Sequence, residues 1–299
     1  MWYTYKKYID ENEEVRCWFK VSANRKKVWN IQLGLIEEVK KICKKHGLKY
    51  YADSGTLLWA VRHKWFIPRD DDTDIVMFRE DYDKFMKIAP KELAKHLVLQ
   101  SNFCGWFAKL RNENTVALVD FDENRDYMES ISLDLFPLDY MSKYLIINII
   151  QRYTLILTRG ILVSLKSKKE VKDANIFKKT LWHIFWFLFK FSNYDNIYNM
   201  YDNLCKKILF PDKSRVVARC ESFNLCYNVK DFDKVKETPF ESSNIYIPIW
   251  YKNILRRLYW DYSKPVIWEW WHNCFYSVEN SYNEIVKNWK IDDSLLFTL

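Results

Sequence analysis

Four aspartates fall within five residues, Asp70, Asp71, Asp72 and Asp74, and the run passes directly into Ile75-Val76-Met77, the apolar signature of a buried strand. Asp72 and Asp74 are two apart, so on a strand both carboxylates project from one face. Like charges placed that way are costly unless a cation sits between them. A third carboxylate, Asp134, lies in Ile131–Phe136, where Ile131, Leu133 and Leu135 alternate with Ser132, Asp134 and Phe136 as in a half-buried strand. A carboxylate there is expensive without a task. The natural occupant is a hard divalent cation, Mg2+ or Mn2+; magnesium takes one or two carboxylates plus substrate phosphates. Such a site performs phosphoryl-group transfer. The metal binds donor phosphates, lowers the pKa of the attacking hydroxyl and stabilises charge on the leaving group. A solvated charge run is the competing reading, and the passage into a buried strand argues against it.

The elements around these residues read as a mixture of strands and helices over the first 140 positions. Val28, Ile31, Leu35, Val39 and Ile42 mark an amphipathic helix over residues 24–46, with Lys40, Lys41, Lys44 and Lys45 toward its C-terminus and Gly47 as its stop. Leu48–Tyr51 follows as a short strand, then Ser54-Gly55-Thr56, then a helix-compatible segment from Leu57 to His63. A strand, glycine turn and helix in that order present backbone N–H groups where a phosphate can sit, although a small-residue turn is more often only a turn. Asp81 to His96 reads as helix, with a break allowed at Pro90. Short strands are expected at 97–101, 106–111, 115–121 and 131–136. After Asp139 the chain becomes aromatic, Lys-rich and helical over 144–210. We therefore divide it into a catalytic core at 1–140 and a helix-rich subdomain at 141–299.

The 299 residues are 49% hydrophobic, with 14 Trp, 20 Tyr and 19 Phe, enough to build a sizeable core and to exclude a disordered chain. Net charge is +8, which suits anionic partners or simple solubility. The 7 Cys match no zinc or disulfide spacing; Cys220 and Cys226 lack a second ligand pair, and buried free thiols in a reducing, cytoplasmic setting fit better. Residues 1–20 carry no apolar core run, so no secretory signal is read there.

The segment from Ile42 to Phe85 resembles the LicD family of phosphotransferases, which is related to the fukutin group. The resemblance rests on Gly55-Thr56-Leu57-Leu58-Trp59-Ala60-Val61-Arg62-His63-Lys64-Trp65-Phe66-Ile67-Pro68-Arg69-Asp70-Asp71-Asp72-Thr73-Asp74. Further blocks agree: Lys109-Leu110-Arg111, Leu133-Asp134-Leu135-Phe136-Pro137-Leu138-Asp139, and near the C-terminus Pro239-Phe240-Glu241, Ile247-Pro248 and Leu258-Tyr259-Trp260-Asp261-Tyr262. It implies an α+β, nucleotidyltransferase-like fold, a mixed β-sheet flanked by helices. It implies transfer of phosphocholine or a similar phospho-group from a CDP-linked donor nucleotide to a saccharide or lipid-linked glycan acceptor, such as a precursor of lipopolysaccharide, teichoic acid or capsule. Asp72 and Asp74 would be the paired metal ligands and Asp134 the third carboxylate and a candidate to deprotonate the acceptor. Gly55 and Thr56 would contact donor phosphate, with Arg62, Lys109 and Arg111 as further phosphate partners. Trp59, Trp65 and Trp260 stand where the family has Gly, and Arg69 replaces a family Trp. These departures bear on the pockets rather than the chemistry, because the carboxylates and Gly55 are intact. His63 matches the family pattern but reads as structural.

Trp182, Ile184, Phe185, Trp186, Leu188 and Phe189 form a dense aromatic segment. It is either the packing of a helical subdomain or a peripheral contact with the inner face of a membrane, where Lys166, Lys168, Lys169, Lys178 and Lys179 would suit anionic headgroups. Two other functions compete with transfer. A nucleotidyltransferase acting on nucleic acid or a small molecule would need an extended basic groove, whereas the lysines here are scattered and carry no nucleic-acid motif. A non-catalytic glycan- or membrane-binding module would have been favoured by loss of a carboxylate, and all three are present.

Overall fold

A computed structural model describes residues 5–68, 72–101, 107–119, 130–166, 176–218 and 226–264, together with two short strands near the C-terminus. Arg69, Asp70, Asp71, Lys168, Lys169 and Cys220 lie outside the described residues, as do the side chains of Lys166 and Lys178. The fold is α+β, with a mixed β-sheet flanked by helices. Two compact units share the chain: one draws on 1–100, 109–135 and 231–299, the other on 101–108 and 136–230.

In the first unit, β1 (Glu14–Arg16) and β2 (Phe19–Val21) form a hairpin before α1 (Ala23–His46). Ser22 caps α1 by accepting from the Arg25 N–H, and Gly47 ends it at φ 64°, a conformation glycine adopts without a Cβ clash. The stripe read from sequence, Val28, Ile31, Leu35, Val39 and Ile42, is buried throughout. β3 (Tyr51–Ala52), α2 (Ser54–Arg62), β4 (Asp74–Phe78) and α3 (Arg79–Glu92) follow, and α3 carries Pro90 in its last turn. Next come β5 (Leu97–Gln100), β6 (Ala108–Asn112), β7 (Val116–Val119) and the 11-residue β8 (Ser132–Ser142). β3 pairs antiparallel with β4, β4 neighbours β8, and β6 pairs with both β8 and β5.

β8 then enters the second unit, where Leu138–Ser142 pairs antiparallel with β9 (Pro211–Ala218), and β9 with β10 (Cys226–Asn228). Between β8 and β9 lie α4 (Leu145–Lys166), α5 (Ile176–Phe189) and α6 (Tyr194–Lys206). Leu155 and Leu162 of α4 pack against Tyr201 and Cys205 of α6.

From Asp231 the chain belongs to the first unit again. β11 (Val235–Phe240) and β12 (Ser243–Pro248) form a hairpin, and α7 (Tyr251–Tyr259) packs on α2. β13 (Cys274–Ser277) pairs with β7 and with β14 (Phe297–Thr298). Of the cysteines, Cys43 and Cys205 are buried free thiols, but Cys17 is exposed and Cys226 half-buried, so burial of the thiols is not general. Burial, with a further push from Asp81, raises the Cys43 thiol to about 12 and leaves it inert.

Trp260, one of the residues standing at a family glycine, caps α7 at φ 55° with its side chain 89% exposed. A bulky residue held there carries backbone strain without packing in return. Trp260→Gly is therefore expected to raise stability by about 1 kcal/mol, measured by urea denaturation. A drop in stability would show that the indole is held by contacts that outweigh the strain.

Candidate functional site

Three hydrogen bonds donated by backbone N–H groups assemble the site. The Asp53 N–H donates to the Asp74 carbonyl (3.1 Å), the Asp74 N–H donates to Thr56 Oγ1 (2.9 Å), and the Asp134 N–H donates to the Thr73 carbonyl (2.8 Å). The first two staple the head of α2 to the start of β4. The third sets the second acidic strand one ladder bond from the first. Gly55 and Thr56 thus stand in the opening turn of α2, directly beside Asp74, as the strand–turn–helix reading expects. The N-cap, Asp53, makes no side-chain capping bond.

Asp74 and Asp134 are each 7% exposed. β4 begins at Asp74, so Asp72 lies in the approach to the strand rather than on it, with its side chain exposed. β8 also departs from a half-buried strand: Leu133, Asp134, Leu135, Phe136 and Leu138 are all buried, because both faces are covered. The cost of holding a carboxylate there is correspondingly higher. Lys109 offsets it, with Nζ 3.3 Å from Asp134 Oδ1. Arg111, two residues along β6 and so on the same strand face, is buried with Nη2 3.7 Å from Glu113 Oε1. Arg62 ends α2, roughly 9 Å along the helix axis from Thr56, and its guanidinium lies 5.8 Å from the Trp59 ring. The structure thus brings Gly55, Thr56, Asp74, Asp134 and Lys109 together and leaves Arg62 at the far end of the helix.

The imidazole of His63 lies 4.4 Å from the Trp59 ring and 5.4 Å from that of Trp65. Two tryptophans that replace family glycines thus flank one ring. Burial first, then the charge of Arg62, holds His63 below the ordinary histidine value, so it stays neutral at pH 7. That fits a packing role.

One participant went unread in the sequence. Asp53 is 2% exposed at the head of α2 and bonded through its N–H to Asp74. Its signal was available, since an Asp before Ser-Gly at a helix start is an N-cap pattern. Among the described residues, no three Asp, Glu, His or Cys side chains converge as a metal-binding group. The donor set at Asp74 and Asp134 is all carboxylate oxygen, which fits a hard cation that completes its shell with substrate phosphates.

Residues 47–155 match the LicD/FKTN/FKRP nucleotidyltransferase domain, and this stretch contains every residue of the site just described. Over this stretch the chain is similar to the LicD family. Similar proteins agree in the same region. The lipopolysaccharide cholinephosphotransferase LicD of Haemophilus influenzae is 33% identical over 69 residues, 23% of this chain and 26% of that one. An uncharacterized Rickettsia typhi protein is 33% identical over 110 residues, 36% of this chain and 33% of its own length. A second, from Rickettsia prowazekii, is 42% identical over 57 residues, 19% and 21% of the respective lengths. The matches thus span a third or less of these relatives. The match ends within α4, so the rest of the helical segment lies beyond it.

Proposed function

We propose that this chain transfers phosphocholine, or a similar substituted phosphate, from a CDP-linked donor to a saccharide of a cell-surface glycan precursor. The reading is supported by the match to the LicD domain and by the activity for which the Haemophilus relative is named. The observation that carries it is the Asp134 N–H to Thr73 carbonyl bond, which sets both acidic segments beside the glycine turn of α2. A magnesium or manganese ion held by Asp74 and Asp134 would supply Lewis-acid stabilisation of the donor phosphates.

The chain's own residues do the rest. The Gly55 and Thr56 N–H groups and the positive end of α2 face donor phosphate. Thr56 Oγ1 accepts from Asp74, and its hydroxyl proton remains to be given to a phosphate oxygen. Lys109, held 3.3 Å from Asp134, is placed to share its charge with the transferring group. Asp134 takes the proton of the acceptor hydroxyl as its oxygen bonds to the distal phosphorus. The phosphoanhydride bond breaks, and CMP leaves.

Incubation with a panel of CDP-linked donors tests this. CMP should appear only when glycan is added, disappear in EDTA and return with excess Mg2+. Undiminished release in EDTA would remove the divalent ion, and no release from any donor would remove the donor class.

A further inference from the structure

We propose that α4 and α5 of the second unit form an interfacial hairpin that docks on an anionic lipid surface. Both helices present wide apolar faces to solvent. On α4, Ile146, Ile150, Tyr153 and Leu157 are 68, 61, 62 and 53% exposed, at helical three- and four-residue spacing. On α5, Phe187 and Leu188 are 66 and 64% exposed. A patch of this size marks an interaction surface.

The charge pattern selects the partner. Residues 141–166 and 176–193 contain no Asp or Glu but seven cationic side chains: Lys143, Arg152, Arg159, Lys166, Lys178, Lys179 and Lys190. Lys190 Nζ lies 5.2, 5.1 and 5.0 Å from the rings of Trp186, Phe187 and Phe191, an ammonium resting among exposed aromatics. That arrangement suits the headgroup boundary, where rings enter the apolar layer and the cation reaches phosphate.

By length and composition α4 is able to cross a bilayer, but its packing assigns it to the interface. Leu155 and Leu162 are buried against α6, and Gln151 Nε2 donates to the Leu204 carbonyl (2.7 Å). One face is thus committed to protein and the other to solvent, while Arg152 and Arg159 would fall mid-bilayer in a span. Gly160 fixes the hairpin: a Cβ there would lie 2.8 Å from the Phe185 ring, so α5 approaches α4 only over a glycine.

Flotation with phosphatidylcholine vesicles, with and without about 30% phosphatidylglycerol, tests the proposal on the full chain. Binding is expected only to the anionic vesicles at low salt. Phe187→Glu should reduce it at least tenfold, and Lys190→Gln by about fivefold, with unchanged thermal melts because both sites are exposed. Asp74→Asn should float like wild type, so loss of the transferase reading and loss of lipid docking are separable. Failure to float on anionic vesicles overturns the proposal, as does equal flotation of Phe187→Glu. So does a stable lipid-free dimer that Phe187→Glu dissociates, because the face would then belong to a second copy.

Discussion

Asp74→Asn is expected to lower CMP release by about a thousandfold while leaving the chain folded. Asparagine has the same shape, and the Asp74 N–H bond to Thr56 Oγ1 belongs to the backbone and survives. What is lost is a buried negative charge, 7% exposed, which a bound cation and the donor phosphates would use. Asp134→Asn behaves differently. It leaves Lys109, whose side chain is 14% exposed, without its 3.3 Å carboxylate partner, so activity and stability should fall together. Steady-state kinetics and thermal melts of the two variants check the contrast. Wild-type turnover by a folded Asp74→Asn protein would take Asp74 out of the site.

The elements around this site were legible because their signals are local. The 3.6-residue stripe of α1 ends at Gly47, and Ser54-Gly55-Thr56 stands between a short strand and an apolar helix. The strands at 97–100, 108–112 and 116–119 emerged within a residue or two of the expected ranges. The return of the chain at Asp231 was not legible, because it depends on pairing between segments hundreds of residues apart, which periodicity does not encode. Where β4 begins is illegible for a related reason. Alternation along Asp72-Thr73-Asp74 cannot say where a strand begins; that is set by the partners available to it, Asp53 on one side and Asp134 on the other. The covered outer face of β8 is likewise a tertiary fact.

The largest stability effect is expected at Glu241, a residue without chemical prominence in the sequence. Its carboxylate accepts from both terminal nitrogens of Arg16, 225 residues away, and Oε1 also accepts the Phe66 N–H at 3.0 Å. Its own N–H donates to the Lys64 carbonyl at 2.7 Å. Phe66 in turn stacks on Trp29 at 5.3 Å and meets Phe240 edge-on at 4.8 Å. Glu241 thus pins the segment that leads from α2 toward the acidic strand. Its side chain is 5% exposed and that of Arg16 13%, so Glu241→Leu leaves a guanidinium in a dry site with Glu14 as its remaining carboxylate. The expected cost is about 3 kcal/mol, roughly a 10 °C fall in melting temperature. Adding Arg16→Met removes the stranded charge and should restore most of the stability. It does not restore the acceptor for the Phe66 N–H, so the double variant should keep a reduced kcat. That residual loss marks Glu241 as a positioning residue for the 64–68 segment. If the double variant recovers kcat along with its melting temperature, Glu241 acts through stability alone and the link from this clamp to the acidic strand is absent.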